Sequence, residues 1–330
     1  MYEAHFRVPM NGAFINSINI HLNAPTIGFL LEHSSSVVII VDQEYFKITE
    51  QALNILKFLE FGDPEFAWKP PQDEWQSIAL GYTSGTTSSS KGVVLHHRGA
   101  YLAATSNVVI WSLPDVAYLW TLPMFHGNGW CFTWTLAAIC GTNICLRQVM
   151  AKGVYSATAN LGVTHFCVAP VVLNSIVNSP QNDTILPLPL LVHVITAGAA
   201  PPPTVLFKMS QIGFHVAHTY GLSETFGAST ICAWKPEWDN LPPKTQAKLN
   251  ARQCVPEHLE VVDTQTMKSV PPNGTIVGEI VFRRNVVMKG YWVPKSIMFG
   301  LLPKTATGKV QKHLLRAKAK EMGLVKTSKL

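Results

Sequence analysis

Tyr82-Thr83-Ser84-Gly85-Thr86-Thr87-Ser88-Ser89-Ser90-Lys91-Gly92 is the stretch on which the fold of this chain turns. Five small hydroxylated residues separate Gly85 from Lys91, and the run lies between two apolar segments, 78–82 and 93–95, that read as strands. Such a loop presents backbone N–H groups, hydroxyls and one ammonium with no bulky side chain in the way, which is what a polyphosphate needs around it. Ser/Thr-rich runs commonly serve as flexible linkers. Here the flanking strands and the terminal Lys-Gly argue against that reading. A Walker A loop fails on two counts, because G-x-x-x-x-G-K-[ST] would need glycine at Ser90 and Ser or Thr at Gly92.

The segment resembles the phosphate loop of the AMP-forming acyl-activating enzymes, the superfamily of acyl-CoA synthetases, adenylation domains and luciferases. The usual form there is Y-T-S-G-T-T-[GS]-x-P-K-G, and this chain departs from it at Ser90, where proline would fix φ before the lysine. Further matches follow in the family's order. Leu122-Pro123-Met124-Phe125-His126-Gly127-Asn128-Gly129 resembles the segment that places a gating histidine beside the acyl pocket. Thr196-Ala197-Gly198-Ala199-Ala200-Pro201 resembles the loop lining the adenine and acyl sites. Tyr220-Gly221-Leu222-Ser223-Glu224-Thr225 resembles Y-G-[LM]-[ST]-E, and Leu302-Pro303-Lys304-Thr305-Ala306-Thr307-Gly308-Lys309 resembles the segment with the adenylation lysine. The wording of these motifs is most similar to the plant acyl-activating enzymes that use short-chain, medium-chain or aromatic acids.

The resemblance implies an AMP-forming acid–thiol ligase, turning a carboxylic acid, ATP and CoA into acyl-CoA, AMP and diphosphate through an acyl adenylate. A carboxylate is a poor acylating agent, so the enzyme must neutralise charge at the α-phosphate and hold the acid in line. By resemblance, Thr83, Ser84, Gly85, Thr86, Thr87 and Lys91 hold the β- and γ-phosphates. Gly198, Ala199, Ala200, Tyr220 and Gly221 surround the adenine and acyl groups. Ser223 and Lys309 address the α-phosphate and carboxylate, Glu224 with Thr83 holds Mg²⁺, and His126 stands between the acyl and thiol channels. Read alone, each is weaker. A lone His126 in an apolar stretch is an ordinary core histidine, Ser223-Glu224 an ordinary helix-start pair, and Lys309 a solvated lysine on a cationic tail.

Departures from the family pattern matter as much. Met288-Lys289-Gly290-Tyr291-Trp292 runs straight into Val293-Pro294-Lys295-Ser296, and no acidic residue lies between Tyr291 and Glu321. The family's ribose-binding aspartate, its hinge and its glycine-rich lid segment therefore have no counterpart. About a hundred residues, the size of a small domain, are expected to be missing there. The start also reads as cut, and a shorter gap is expected around residues 55–60. The expected domains are 1–292, an AMP-binding domain incomplete at its start, and 293–330, a remnant of the C-terminal lid too short for an independent core. Activity is accordingly expected to be impaired. The alternative is a non-catalytic, nucleotide- or acid-binding regulatory paralogue.

Composition sets outer limits. With 330 residues, 47% hydrophobic and 14% charged, the chain can bury a substantial core. The net charge of +6 is concentrated in residues 304–330, which hold eight Lys or Arg and one Glu, so it reads as a solvated amphipathic helix at 309–322 rather than a nucleic-acid surface. Six cysteines without a CxxC pair read as reduced, mostly buried thiols of an intracellular protein. The apolar run 130–146 is broken by Thr133, Thr135, Gly141, Thr142 and Asn143, which predicts a buried helix and strand rather than a membrane span. The final Ser328-Lys329-Leu330 matches the address read by the peroxisomal import receptor, and predicts that location.

The expected fold class is α/β: helix-covered parallel or mixed sheets with an antiparallel subregion at 254–284. Strands are predicted at 78–82, 118–122, 143–147, 165–168, 192–196 and 215–219. Helices are predicted at 98–108, 129–138, 152–161, 170–178 and 204–212, with Pro170 and Pro201 to Pro203 suiting helix starts.

Overall fold

Short, continuous apolar runs, rich in β-branched and aromatic residues, build the main sheet of the computed structural model, which describes residues 1–55, 70–83, 90–111, 113, 115–252 and 259–292. The strands are, in chain order, β1 (Ile15–Asn16), β2 (Ser77–Tyr82), β3 (Gly92–His96), β4 (Ala117–Trp120), β5 (Thr142–Cys145), β6 (His165–Val168), β7 (Val192–Thr196), β8 (Phe214–Tyr220), β9 (Thr230–Ile231), β10 (Leu259–Val262), β11 (Glu279–Phe282) and β12 (Gly290–Tyr291). Six of them form one sheet in the order β5-β4-β6-β7-β8-β9. All neighbours in it are parallel except β9, which runs antiparallel to β8.

A parallel sheet is stable when helices cover both faces. One face carries Phe166, Val168, Val194 and Val216, packed under helices Ala151–Asn160, Pro170–Val177 and Pro203–Gln211 through Tyr155, Leu173, Ile176 and Met209. The other face carries Tyr118, Trp120, Cys167 and Ile195 beneath helix Phe132–Ala138. Pro170 and Pro203 open their helices, where a missing N–H costs nothing. The predicted strand at 143–147 is found at 142–145 as the sheet edge, partly exposed rather than buried.

A second sheet places β2 between β1, which is parallel to it, and β3, which is antiparallel. Ala79, Val93 and Leu95 pack there against Ala100 and Ala103 of helix His97–Ile110. His96 is the cap of that helix. Its Nδ1 accepts from the Gly99 amide at 3.0 Å, which leaves Nε2–H to donate to the Val287 carbonyl at 3.1 Å. The strands β10 and β11 pair antiparallel, as the alternation around 254–284 predicts.

Two compact units divide the described residues: 1–17 with 70–290, and 18–55 with 291–292. In the second, helices Ala24–His33 and Phe46–Ile55 share a core of Ile27, Leu31 and Ala52, and the Trp292 indole donates to the His33 carbonyl at 2.8 Å. No helix among the described residues is long and apolar enough to cross a membrane. Of the cysteines, Cys131, Cys167 and Cys232 are buried, while Cys140 and Cys145 are exposed. Cys254 and the predicted helix at 309–322 lie outside the described residues.

Candidate functional site

The strands on either side of the Ser/Thr-rich loop, β2 and β3, are antiparallel, with Tyr82 opposite Gly92. Their ends are tied together. The Thr83 amide donates to the Lys91 carbonyl at 3.0 Å, and the Lys91 amide donates to Thr83 Oγ1 at 3.3 Å. Ser84, Gly85, Thr86 and Thr87 lie outside the described residues, and so does Lys309.

Three of the remaining motifs converge on one cavity of about 100 Å³. Gly198 comes from the turn after β7, Gly221 and Ser223 from the turn after β8, and His126 from the segment after β4. These are the carboxyl ends of parallel strands, where open α/β sheets bind ligands. Glycine is required at two of the positions. Gly198 has φ +86°, and a Cβ on Gly221 would collide with the Gly227 carbonyl oxygen. The turn carrying Ser223 and Glu224 is held by Thr225, whose Oγ1 accepts from the Leu222 amide at 2.9 Å and donates to its carbonyl at 3.1 Å. Ser223 and Glu224 therefore sit in a turn rather than at a helix start. Met288 donates its amide to the Glu224 carbonyl at 2.8 Å.

Tyr220, at the end of β8, stacks on Phe282 with ring centroids 6.0 Å apart and planes at 26°. Ala199 and Ala200 are exposed in the turn leading to helix Pro203–Gln211. His126 lies on the cavity wall, and desolvation pushes its pKa below the usual histidine value, which favours a neutral imidazole. Among the described residues no cluster of three His, Cys, Asp or Glu could cage a metal.

The sequence predicts a helix from Gly129, and here the structure differs. Gly127, Asn128, Gly129, Trp130 and Cys131 all have positive φ, between 45° and 66°, and the right-handed helix begins only at Phe132. The Gly-Asn-Gly run that permits this was present in the sequence as a signal for positive φ. Asn107, Trp130, Phe132 and Ile195, unassigned from sequence, also line the cavity. The Asn107 amide donates to the Trp130 carbonyl at 3.4 Å and to Thr135 Oγ1 at 3.2 Å.

The profile of the AMP-binding enzyme family matches residues 1–292. The chain belongs to the AMP-binding enzyme family. Acetate–CoA ligase CCL3 of Humulus lupulus is 49% identical over 485 residues, covering 100% of this chain and 85% of that protein. The peroxisomal acetate/butyrate–CoA ligase AAE7 of Arabidopsis thaliana is 48% identical with the same coverage. Each alignment spans 485 positions and this chain supplies 330 residues, so at least 155 positions of this family member's alignment have no counterpart in it. The fold matches that of O-succinylbenzoate–CoA synthetase MenE from Bacillus subtilis, in complex with ATP and magnesium. The TM-score is 0.72 at 21% identity, over 88% of this chain and 60% of that one.

Proposed function

We propose that this family member is an AMP-forming acyl-CoA ligase in its binding chemistry, acting on short carboxylic acids, with the adenylation that Lys309 would serve, and hence overall acyl-CoA formation, impaired. The observation that carries the reading is the convergence of His126, Gly198, Gly221 and Ser223 on one cavity at the strand ends. The acetate and butyrate named for its relatives support short acids as the class.

In this reading the cavity takes the acyl group and the adenylate. The missing side chains at Gly198 and Gly221 leave room for a flat ring and for the turn behind it. Ser223 donates its hydroxyl to the α-phosphate. Lys91, tied through Thr83 to the end of β2, brings a charge-assisted contact to the outer phosphates. Mg²⁺, held by Glu224 and Thr83 with the phosphates, would offset the negative charge there. His126, kept neutral by desolvation, separates the acyl group from the thiol of CoA.

Impairment is inferred from the alignment positions of the relatives that have no counterpart in this chain. The division into an AMP-binding domain at 1–292 and a lid remnant at 293–330 belongs to the same proposal. A lysine contributes to adenylation only when its ammonium is held at the reacting phosphate. The peroxisomal name of AAE7 and the tripeptide Ser328-Lys329-Leu330 support delivery to peroxisomes. Calorimetric titration of the chain with ATP·Mg²⁺ and with a non-hydrolysable acetyl-adenylate analogue tests the binding chemistry. Binding of both is expected, and no heat from either up to millimolar concentration would refute it.

A further inference from the structure

One short segment, residues 284–289, reaches both the turn after β8 and the strand behind Lys91. The Met288 amide donates to the Glu224 carbonyl at 2.8 Å. The next amide, that of Lys289, donates to the Val94 carbonyl in β3, also at 2.8 Å. Glu224 lies in the turn that carries Ser223, and β3 begins at Gly92, directly after Lys91. Two consecutive amides therefore span the distance between the residues proposed for the α-phosphate and Mg²⁺ and the strand that delivers the lysine.

Two side chains hold the segment on either side. Arg284 Nη1 donates to the Ala228 carbonyl at 2.6 Å, and Ala228 lines the cavity near the end of the same turn, which the Ser229 amide closes on the Tyr220 carbonyl at 2.7 Å. A guanidinium on a carbonyl is a charge-assisted hydrogen bond, stronger than a neutral one. From β3, His96 donates Nε2–H to the Val287 carbonyl at 3.1 Å while its Nδ1 accepts from Gly99. Glycine at 99 makes the room: a Cβ there would come within 3.1 Å of the imidazole and 3.4 Å of the Val286 carbonyl oxygen. Trp75 stacks on the imidazole with centroids 4.4 Å apart, and Val286 is buried with Val93, Leu95 and Ala103.

We propose that Arg284 and His96 are positioning residues that clamp segment 284–289 between the Ser223–Glu224 turn and β3, and so fix the spacing of the two phosphate-binding groups. The inference rests on the nucleotide-binding reading of the site. ATP·Mg²⁺ touches both groups, and its second contact is intramolecular once the first is made, so a fixed spacing strengthens it. AMP reaches the turn alone and gains nothing from the clamp.

The test titrates ATP·Mg²⁺ and AMP into the full chain and its Arg284→Leu, Arg284→Lys and His96→Asn variants. His96→Asn keeps a side-chain oxygen for the Gly99 cap but is too short to reach Val287. Arg284→Leu should weaken ATP·Mg²⁺ binding about tenfold and His96→Asn about two- to tenfold, with AMP binding unchanged. Arg284→Lys, which keeps a cationic donor, should recover most of the loss. The Arg284→Leu, His96→Asn double variant should lose less than the product of the two, because both act on one segment. Wild-type ATP·Mg²⁺ affinity in the single variants overturns the proposal. Equal weakening of ATP·Mg²⁺ and AMP also overturns it, since a general loosening of the turn would then suffice. Hydrogen exchange on the wild-type chain needs no variant to fold: ATP·Mg²⁺ should slow exchange of the Met288 and Lys289 amides, and unchanged exchange at both overturns the clamp. A wild-type chain that does not bind ATP·Mg²⁺ overturns the nucleotide-binding reading itself, and the proposal with it.

Discussion

Thr83 and Lys91 join the ends of β2 and β3 by a reciprocal pair of hydrogen bonds, amide to carbonyl at 3.0 Å in one direction and amide to side-chain hydroxyl at 3.3 Å in the other. The eight-residue separation between them is thus pinned at the end of a paired hairpin. A rigid frame of this kind delivers loop donors to a phosphate without first having to order the loop's ends.

Lys91→Ala deletes a charge-assisted contact and should weaken ATP·Mg²⁺ binding by about 1.5–3 kcal/mol. Thr83→Val removes a neutral hydroxyl that accepts from the Lys91 amide and is proposed to reach Mg²⁺, and should cost less, about 0.5–1.5 kcal/mol. Calorimetry on the two variants checks the order. Equal losses would mean that the clasp, rather than the lysine charge, carries the affinity.

Gly221→Ala places a methyl group against the Gly227 carbonyl oxygen, backbone that cannot rotate away. Overpacking of this kind costs about 1–3 kcal/mol. Chemical denaturation should register that loss, together with weaker binding of adenylate analogues. A variant as stable as the wild type would show that the two turns can separate without cost.

A row of imidazoles crosses the main sheet, His165 opposite His193 and His193 opposite His215, with ring centroids 5.1 and 5.5 Å apart. Burial lowers all three pKa values, and His193 lowers its two neighbours further; His165 falls from 6.5 to about 4. The unfolded chain therefore binds more protons than the folded one between those two values. Stability should be fully present above about pH 6.5 and fall as the pH drops toward 4. Denaturant midpoints measured across that window should decline, and less steeply in His165→Phe.

An N-terminal fluorescent fusion should collect in peroxisomes, and removal of residues 328–330 should make it diffuse. The same diffuse signal from both proteins would rule out the import address.

Where the sequence was legible, burial on two faces made it so. Residues 165–168 and 192–196 are short apolar runs that coincide with β6 and β7, because a central parallel strand needs apolar residues on both sides. The left-handed run is not legible in the sequence: Gly127-Asn128-Gly129 ends a motif, and the apolar stretch after it predicts a helix from Gly129. Its cause is tertiary: close passage by Trp120 and the Asn107 anchor. For the same reason the sequence placed His126, Gly198 and Ser223 by motif but missed Asn107, Trp130, Phe132 and Ile195. Those four meet only after helix His97–Ile110, the 127–131 turn and β7 have packed.

Binding and turnover are expected to separate in this chain: the cavity binds the acyl adenylate, while Lys309 adds little to its formation. Orientation can supply about 7–11 kcal/mol of a barrier, so an unpositioned lysine should contribute little. The direct measurement is acetyl-CoA formation from acetate, ATP and CoA by the purified chain and by Lys309→Ala, beside a full-length relative. The expected rate lies far below that of the relative and is nearly unchanged by the substitution. Robust thioester formation that Lys309→Ala abolishes would show instead that Lys309 reaches the reacting phosphate.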